Sequence, residues 1–118
     1  MHSSQNADLQ ACIQTCRECL SECQETLYEH CLEMGGEHVK KEHVKLMTDC
    51  IQICKTAADF MSRGSELHAT VCAACAQVCE ACADSCERIG GEHMLRCAEI
   101  CRRCAQSCRE MGTMKKAA

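Results

Sequence analysis

The cysteines of this chain recur at alternating steps of three and four residues along much of its length. Such steps keep side chains on one face of an α-helix, at the a and d positions of a heptad repeat. In a helix bundle those positions face the central axis. The spacing therefore predicts several helices that direct their thiols toward one another. The longest runs are Cys12, Cys16, Cys19 and Cys23; Cys72, Cys75, Cys79, Cys82 and Cys86; and Cys97, Cys101, Cys104 and Cys108.

Residues other than cysteine extend the same spacing. The short run of Cys50 and Cys54 is continued backwards, at steps of three and four, by a methionine and a histidine. One further histidine lies four residues before the longest run, and another lies seven residues after the first run, next to Cys31. Imidazole and thioether groups bind soft or borderline metal ions. Beside all sixteen cysteines, the candidate metal ligands are therefore His43, Met47, His68 and His30.

Glycine is the only residue that interrupts this pattern, because the chain contains no proline. We expect each helix to end at a glycine in the left-handed cap position. Connections of one to three residues force neighbouring helices to run antiparallel. The prediction is an all-α, up-down-up-down four-helix bundle with a cysteine-lined core, forming one domain over 1–118. The expected helices are 7–34, 37–62, 66–89 and 92–111, with loose ends at 1–6 and 113–118.

Charge and hydropathy exclude several classes of protein. The formal net charge is −4, which disfavours binding to a nucleic-acid backbone. No apolar run is long enough for a membrane span, and the first residues lack the charged and apolar segments of a secretory signal. We therefore expect a cytoplasmic protein. In a reducing compartment, sixteen cysteines indicate metal binding rather than a disulfide framework.

The amount of cysteine also argues for metal. One or two buried cysteines usually act as small hydrophobic residues. Sixteen of them, at positions where leucine would pack better and beside a single Phe and no Trp, do not fit that role. Cysteines four residues apart on a helix have Cβ atoms ~5–6 Å apart, against ~3.8 Å in a relaxed disulfide. That separation suits two sulfurs holding one ion between them.

Thiolate ligands select Cu(I), Zn(II) or iron–sulfur clusters. Ferredoxin-type clusters use loop motifs that end in Cys-Pro, whereas these cysteines lie inside heptads. Structural zinc needs closed sets of four ligands. The cysteines instead form a continuous row along the inward face of the helices, the cysteine stripe, which does not divide into separate sets of four. Cu(I) accepts two or three ligands and shares bridging thiolates, which allows roughly one ion per cysteine, about 16 in all. The open alternatives are an iron–sulfur electron carrier, a zinc-stabilised structural bundle and, less favoured by the acidic charge, a copper-sensing repressor.

The three long cysteine runs resemble those of the bacterial copper storage proteins, in the cytosolic branch that lacks an export signal. Members are sometimes filed as ferredoxin-like. The resemblance covers nearly the whole chain and implies a tetramer of four-helix bundles that each bind multiple Cu(I) ions. It implies that all sixteen cysteines are Cu(I) ligands and that His and Met near the bundle mouths assist copper entry. The chain departs from this pattern in its second helix, which has only Cys50 and Cys54.

The resemblance and the residues together predict a non-enzymatic copper store. No nucleophile motif or phosphate-binding glycine loop is present in the sequence. A copper chaperone is the expected protein partner. Antiparallel helices would gather a His- and Met-rich set at one end of the bundle, and we expect metal to enter there, with His38 and His93 exposed. That set comprises His30, Cys31, Met34, His38, His43, Met47, His93 and Met94.

Overall fold

The computed structural model describes residues 2–113, with side chains from residue 6 onward. The first long helix, α1, runs as an α-helix over His2–Glu25, continues through a π-helical turn over Thr26–Cys31 and ends with the α-helical turn Leu32–Met34. A 3-10 turn over Gly36–Val39 follows. The other long helices are α2 (Lys41–Ser62), α3 (His68–Ile89) and α4 (Glu92–Gly112).

The four helices pack in a ring, in which α1 contacts α2, α2 contacts α3, α3 contacts α4 and α4 contacts α1. Their short connections make neighbouring helices antiparallel, and the bundle measures 51 × 21 × 20 Å. Within residues 2–113 there is no β-strand. The predicted up-down-up-down four-helix bundle is confirmed. No helix in this described part of the chain is both long and apolar enough to pass through a bilayer.

The helix ends differ from the expected bounds in local detail. α1 begins at His2 rather than at residue 7. α2 begins at Lys41 rather than at residue 37, because the 3-10 turn takes up the intervening residues. α3 begins at His68, and before it the Ser65 hydroxyl accepts a hydrogen bond of 3.1 Å from the backbone N–H of Leu67. Residues 114–118, expected to be loose, lie outside the described residues.

Gly64 ends α2 as the left-handed cap that we expected: its φ is 68°, its N–H donates to the carbonyl oxygen of Met61 at 3.1 Å, and the N–H of Ser65 donates to that of Phe60 at 3.0 Å.

The glycines after α1, α3 and α4 do not act in this way. Gly35 and Gly90 have φ of 67° and 77° but ψ of −160° and −175°, so they are extended at positive φ, where glycine is strongly favoured. Gly112 lies at the end of α4 without a positive φ. A Cβ atom on Gly112 would lie 3.0 Å from the backbone N and Cα of Ala73. The missing side chain of Gly112 thus lets α4 approach α3 closely.

The interior of the bundle is made mainly of sulfur-containing side chains. All sixteen cysteines are fully buried, which the periodicity predicted for every one except Cys31. The largest fully buried side chains are Met47, Met61, Met94 and His43. Burying a leucine contributes roughly 1.5–3 kcal/mol, and a cysteine offers much less apolar area. The metal-free core therefore provides modest cohesion for a bundle of this size.

An ion-pair ladder joins α3 to α4 on the outside of the bundle. The Arg102 guanidinium contacts the carboxylates of Glu80, Asp84 and Glu87, the last two at 2.7 and 2.8 Å. Arg109 reaches Glu80 at 2.7 Å. Exposed pairs of this kind contribute up to ~1 kcal/mol each. Their side chains are partly exposed, on the outside of the bundle and away from the buried cysteines.

Candidate metal centre

The buried thiols form a column along the bundle axis, with successive sulfurs in contact across helices. Cys16 and Cys108 have Sγ atoms 3.5 Å apart, and so do Cys23 and Cys101. All sixteen thiols are free. An unbroken path of Sγ contacts of 3.5–3.9 Å runs through Cys12, Cys108, Cys16, Cys104, Cys54, Cys79, Cys50, Cys23 and Cys97.

Within this column, four groups of four thiols each have all their Sγ atoms within 4.8 Å of one another. Every group combines one pair of cysteines four residues apart on a single helix with one cysteine from each of two other helices. The expected pairing of sulfurs along a helix is therefore completed by sulfurs across the bundle. The groups are Cys19, Cys23, Cys50 and Cys101; Cys19, Cys50, Cys54 and Cys79; Cys54, Cys75, Cys79 and Cys104; and Cys16, Cys75, Cys104 and Cys108.

Each of these four-thiol groups shares two cysteines with the next one along the axis. The shared pairs are Cys19 with Cys50, Cys54 with Cys79, and Cys75 with Cys104. Because of this sharing, only two of the groups can be filled at once as separate, closed sites. A closed tetrahedral zinc site needs four thiolates of its own. The column is therefore better suited to ions that share bridging thiolates than to the separate, closed sites that a zinc-stabilised bundle requires.

One end of the column has a different donor set. The Cys31 sulfur lies 3.6 Å from Nε2 of His43 and 3.8 Å from Sδ of Met94. Deeper in the bundle, the Sδ atom of Met47 lies 3.6 Å from the sulfurs of both Cys82 and Cys86. The structure thus brings the candidate ligands His43 and Met47 into the thiol-lined core. We call the set of Cys31, His43 and Met94 the mouth cluster.

The mouth cluster is uncharged at neutral pH. Burial raises the pKa of the Cys31 thiol to about 11, and the nearby Cys97 and Cys82 add to the effect. Burial also lowers the pKa of His43, with a further contribution from the charge of His38. Cys31 is therefore a neutral thiol and His43 a neutral imidazole at pH 7. A soft cation that binds Cys31 must displace the thiol proton.

The π-helical turn decides which residue of α1 completes the mouth cluster. A regular continuation of the heptads from Cys23 would place His30 on the stripe. The wider π turn shifts the register by one residue, so that Leu27 and Cys31 are buried and His30 is only half-buried. His30 therefore lies outside the thiol column, and Cys31 takes the inward position.

Three histidines gather on the surface beside the mouth cluster. The ring of His30 stacks on that of His93, with centroids 4.2 Å apart, and meets His38 edge-on at 5.1 Å. His93 is exposed, as expected, whereas His38 is half-buried. Desolvation and the neighbouring rings of His93 and His38 lower the pKa of His30. The sequence indicated a His-rich end but not these ring contacts.

His68 makes a local contact instead of a contact with the thiol column. Its ring Nδ1 lies 2.9 Å from the carbonyl oxygen of Ser65, to which it donates a hydrogen bond. The side chain is half-buried at the start of α3. Among the described residues, His68 belongs to none of the groups of side chains that could together hold a metal ion. Its role as a ligand stays a prediction.

The comparison with known proteins decides the family. The family model for copper storage proteins matches residues 5–113. The chain belongs to the copper storage protein family. No curated protein matches this chain.

Solved structures of several bacterial proteins share this fold. The Cu(I)-bound copper storage protein of Bacillus subtilis is 33% identical, with a TM-score of 0.83 over 90% of this chain and 99% of its own. A cytosolic copper storage protein from Streptomyces lividans, solved with five coppers, is 28% identical, with a TM-score of 0.82 over 97% and 99%. A protein from Nitrosospira multiformis is 44% identical, with a TM-score of 0.89 over 92% and 98%.

Two residues at the mouth-cluster end of the bundle were not among the candidate ligands predicted from the sequence. Met94 was placed at the His-rich end, and the structure buries its Sδ against Cys31. Ser85 is fully buried, and its Oγ lies 2.8 Å from Nδ1 of His43. In the sequence, the position of Ser85 next to Cys86 on the inward face of α3 could have indicated that its side chain is buried.

Proposed function

We propose that this chain stores Cu(I), holding many ions on the thiolates inside its helix bundle. The observation that carries the proposal is the column of four-thiol groups, in which neighbouring groups share pairs of cysteines. Soft d10 ions accept shared thiolates, so the column offers connected positions along its whole length. The Cu(I)-bound Bacillus relative and the Streptomyces protein loaded with 10 copper equivalents support this reading.

The ligand assignment follows from burial and contacts. All sixteen fully buried cysteines are the proposed thiolate ligands, and His43 and Met47 add an imidazole and a thioether near one end. Copper would enter at that end, past His30 and its neighbouring rings, and reach the mouth cluster first. Each Cu(I) that forms a bond to a thiol sulfur releases one proton to solvent. Exchange between sulfurs less than 4 Å apart then moves the ion inward.

The geometry gives less support to the other functions considered. An iron–sulfur cluster needs room for several irons and sulfides between its cysteines, whereas sulfurs within 4.8 Å of one another surround a single ion. Separate zinc sites use at most two of the overlapping four-thiol groups at once. A copper store also needs no catalytic group, and we include the absence of enzyme activity in the proposal.

Titration of the reduced, metal-free protein with Cu(I) against a competing chelator tests this function. We expect a break at roughly one ion per cysteine, about 16 per chain, because bridging lets each thiolate serve two ions. In weak buffer, the same titration should release about one proton for each thiol that becomes a ligand. A break at about two ions, or retention of zinc in preference to copper under equal competition, would contradict copper storage.

The partners and the location of the protein form a second part of the proposal. The family resemblance suggests a homotetramer in the cytoplasm that receives copper from a chaperone. Half-buried apolar side chains beside the cysteine stripe of α2, among them Ile53 and Phe60, support a contact between subunits. Light scattering on the eluted protein should give four times 13.0 kDa, about 52 kDa. A mass of one chain would rule the tetramer out.

A further inference from the structure

Ser85 is an unusual residue in an interior made of thiols and thioethers. It is fully buried on α3, and a buried hydroxyl is costly unless it is hydrogen-bonded. Its Oγ meets Nδ1 of His43 on α2 at 2.8 Å. The guanidinium of Arg88, one turn further along α3, donates a second hydrogen bond to the same oxygen at 3.2 Å. Two polar partners therefore converge on this one hydroxyl.

These contacts fix the orientation of the His43 ring. With Nδ1 on Ser85, the other ring nitrogen, Nε2, is directed toward the sulfur of Cys31 at 3.6 Å. A neutral imidazole that binds a metal through Nε2 carries its proton on Nδ1, which then needs an acceptor. A hydroxyl can serve as that acceptor, since it both donates and accepts hydrogen bonds.

We propose that Ser85 is a positioning residue, which holds the His43 imidazole so that Nε2, the Cys31 thiolate and the Met94 thioether bind one Cu(I) ion at the entrance of the column. This inference rests on the proposed copper storage function. When the ion binds, Cys31 loses its proton to solvent, and the Nδ1–H group of His43 donates to Ser85. Arg88 supports the hydroxyl from the surface, where it lines a pocket of about 220 Å³ together with Glu37 and Glu42.

Removal of the hydroxyl should weaken this one site and leave the rest of the column loaded. The mouth cluster contains a single thiolate, so its ion should be the first that a chelator removes from the fully loaded protein. Loss of the group that hydrogen-bonds the free ring nitrogen of a ligating histidine typically weakens metal binding 10–100-fold. We expect a weakening of about that size for the first ion lost from Ser85→Ala, measured with a chromophoric Cu(I) chelator.

A double-mutant cycle separates positioning from a general structural effect. If Ser85 acts through His43, Ser85→Ala should have no further effect on copper retention in a His43→Ala background. Ser107→Ala is the control at the other end of the column, since Ser107 precedes Cys108 on α4 as Ser85 precedes Cys86 on α3, although Ser107 is half-buried rather than fully buried. It should leave the first ion lost unchanged. Ser85→Thr keeps the hydroxyl and should retain copper like the unmodified protein.

Each outcome of this experiment supports or overturns the assignment. Unchanged retention in Ser85→Ala, or an effect that adds in full to that of His43→Ala, overturns the role of Ser85 while copper storage stands. Failure of the unmodified protein to take up Cu(I) overturns both proposals. Circular dichroism of each variant shows whether the helices are intact, so that a folding defect is recognised as such.

Discussion

Full loading with Cu(I) should raise the midpoint of thermal unfolding by more than about 20 °C. A ligand that binds only the folded chain contributes about 4.1 kcal/mol at a free concentration 1,000 times its Kd. Each kcal/mol raises the midpoint of a domain near this size by roughly 4 °C, so a few such ions reach the expected shift. The effect is large because the metal-free interior contains fully buried cysteines where most bundles have leucines.

The measurement compares calorimetric scans of reduced metal-free and copper-loaded protein without oxygen. Unfolded chains also bind Cu(I) through their thiols, which reduces the shift but cannot reproduce groups assembled from three helices. Protein loaded with half the saturating copper should unfold at intermediate temperatures. A shift below about 5 °C, corresponding to roughly 1 kcal/mol, would mean that the ions bind folded and unfolded chains almost equally.

Replacement of Cys75 and Cys79 by alanine should remove most of the tightly held copper. Both cysteines lie on α3, and each belongs to two of the four-thiol groups. Without them, three of the groups are incomplete, and only Cys19, Cys23, Cys50 and Cys101 remain as a full set. We expect the number of Cu(I) ions retained against a strong chelator to fall by half or more.

The matched control replaces Cys72 and Cys86, which also lie on α3 and are also fully buried. Neither belongs to a four-thiol group, so this variant removes as many sulfurs and leaves all four groups complete. It should lose only about two ions, the number expected from one ion per thiol. Equal losses in the two double variants would show that the shared groups have no special role in retention.

The bundle and its cysteine-lined core follow from the sequence because helical periodicity is a local property. Steps of three and four residues place side chains on one helical face whatever the rest of the chain does. Short glycine-containing connections then leave the antiparallel ring as the arrangement that buries all four faces. For the same reason, His43 and Met47 could be assigned to the interior from their spacing to Cys50 alone.

Local spacing also misplaced some residues. A regular heptad puts His30 on the stripe, and only the π-helical turn shows that Cys31 takes that place. Gly112 looked like a helix cap, but its lack of a side chain serves the close approach to Ala73. Both features depend on how neighbouring helices fit together, which no short stretch of sequence encodes.

The sequence by itself determined the fold class, the family to which the chain belongs and the inward direction of every cysteine except Cys31. Only the tertiary structure decided which thiols lie together in a four-thiol group, such as Cys75 with Cys104, and which serine contacts His43. The reason is physical: direction on a helix is set by its 3.6-residue turn, whereas the relative height of two helices is set by side-chain packing across the whole bundle.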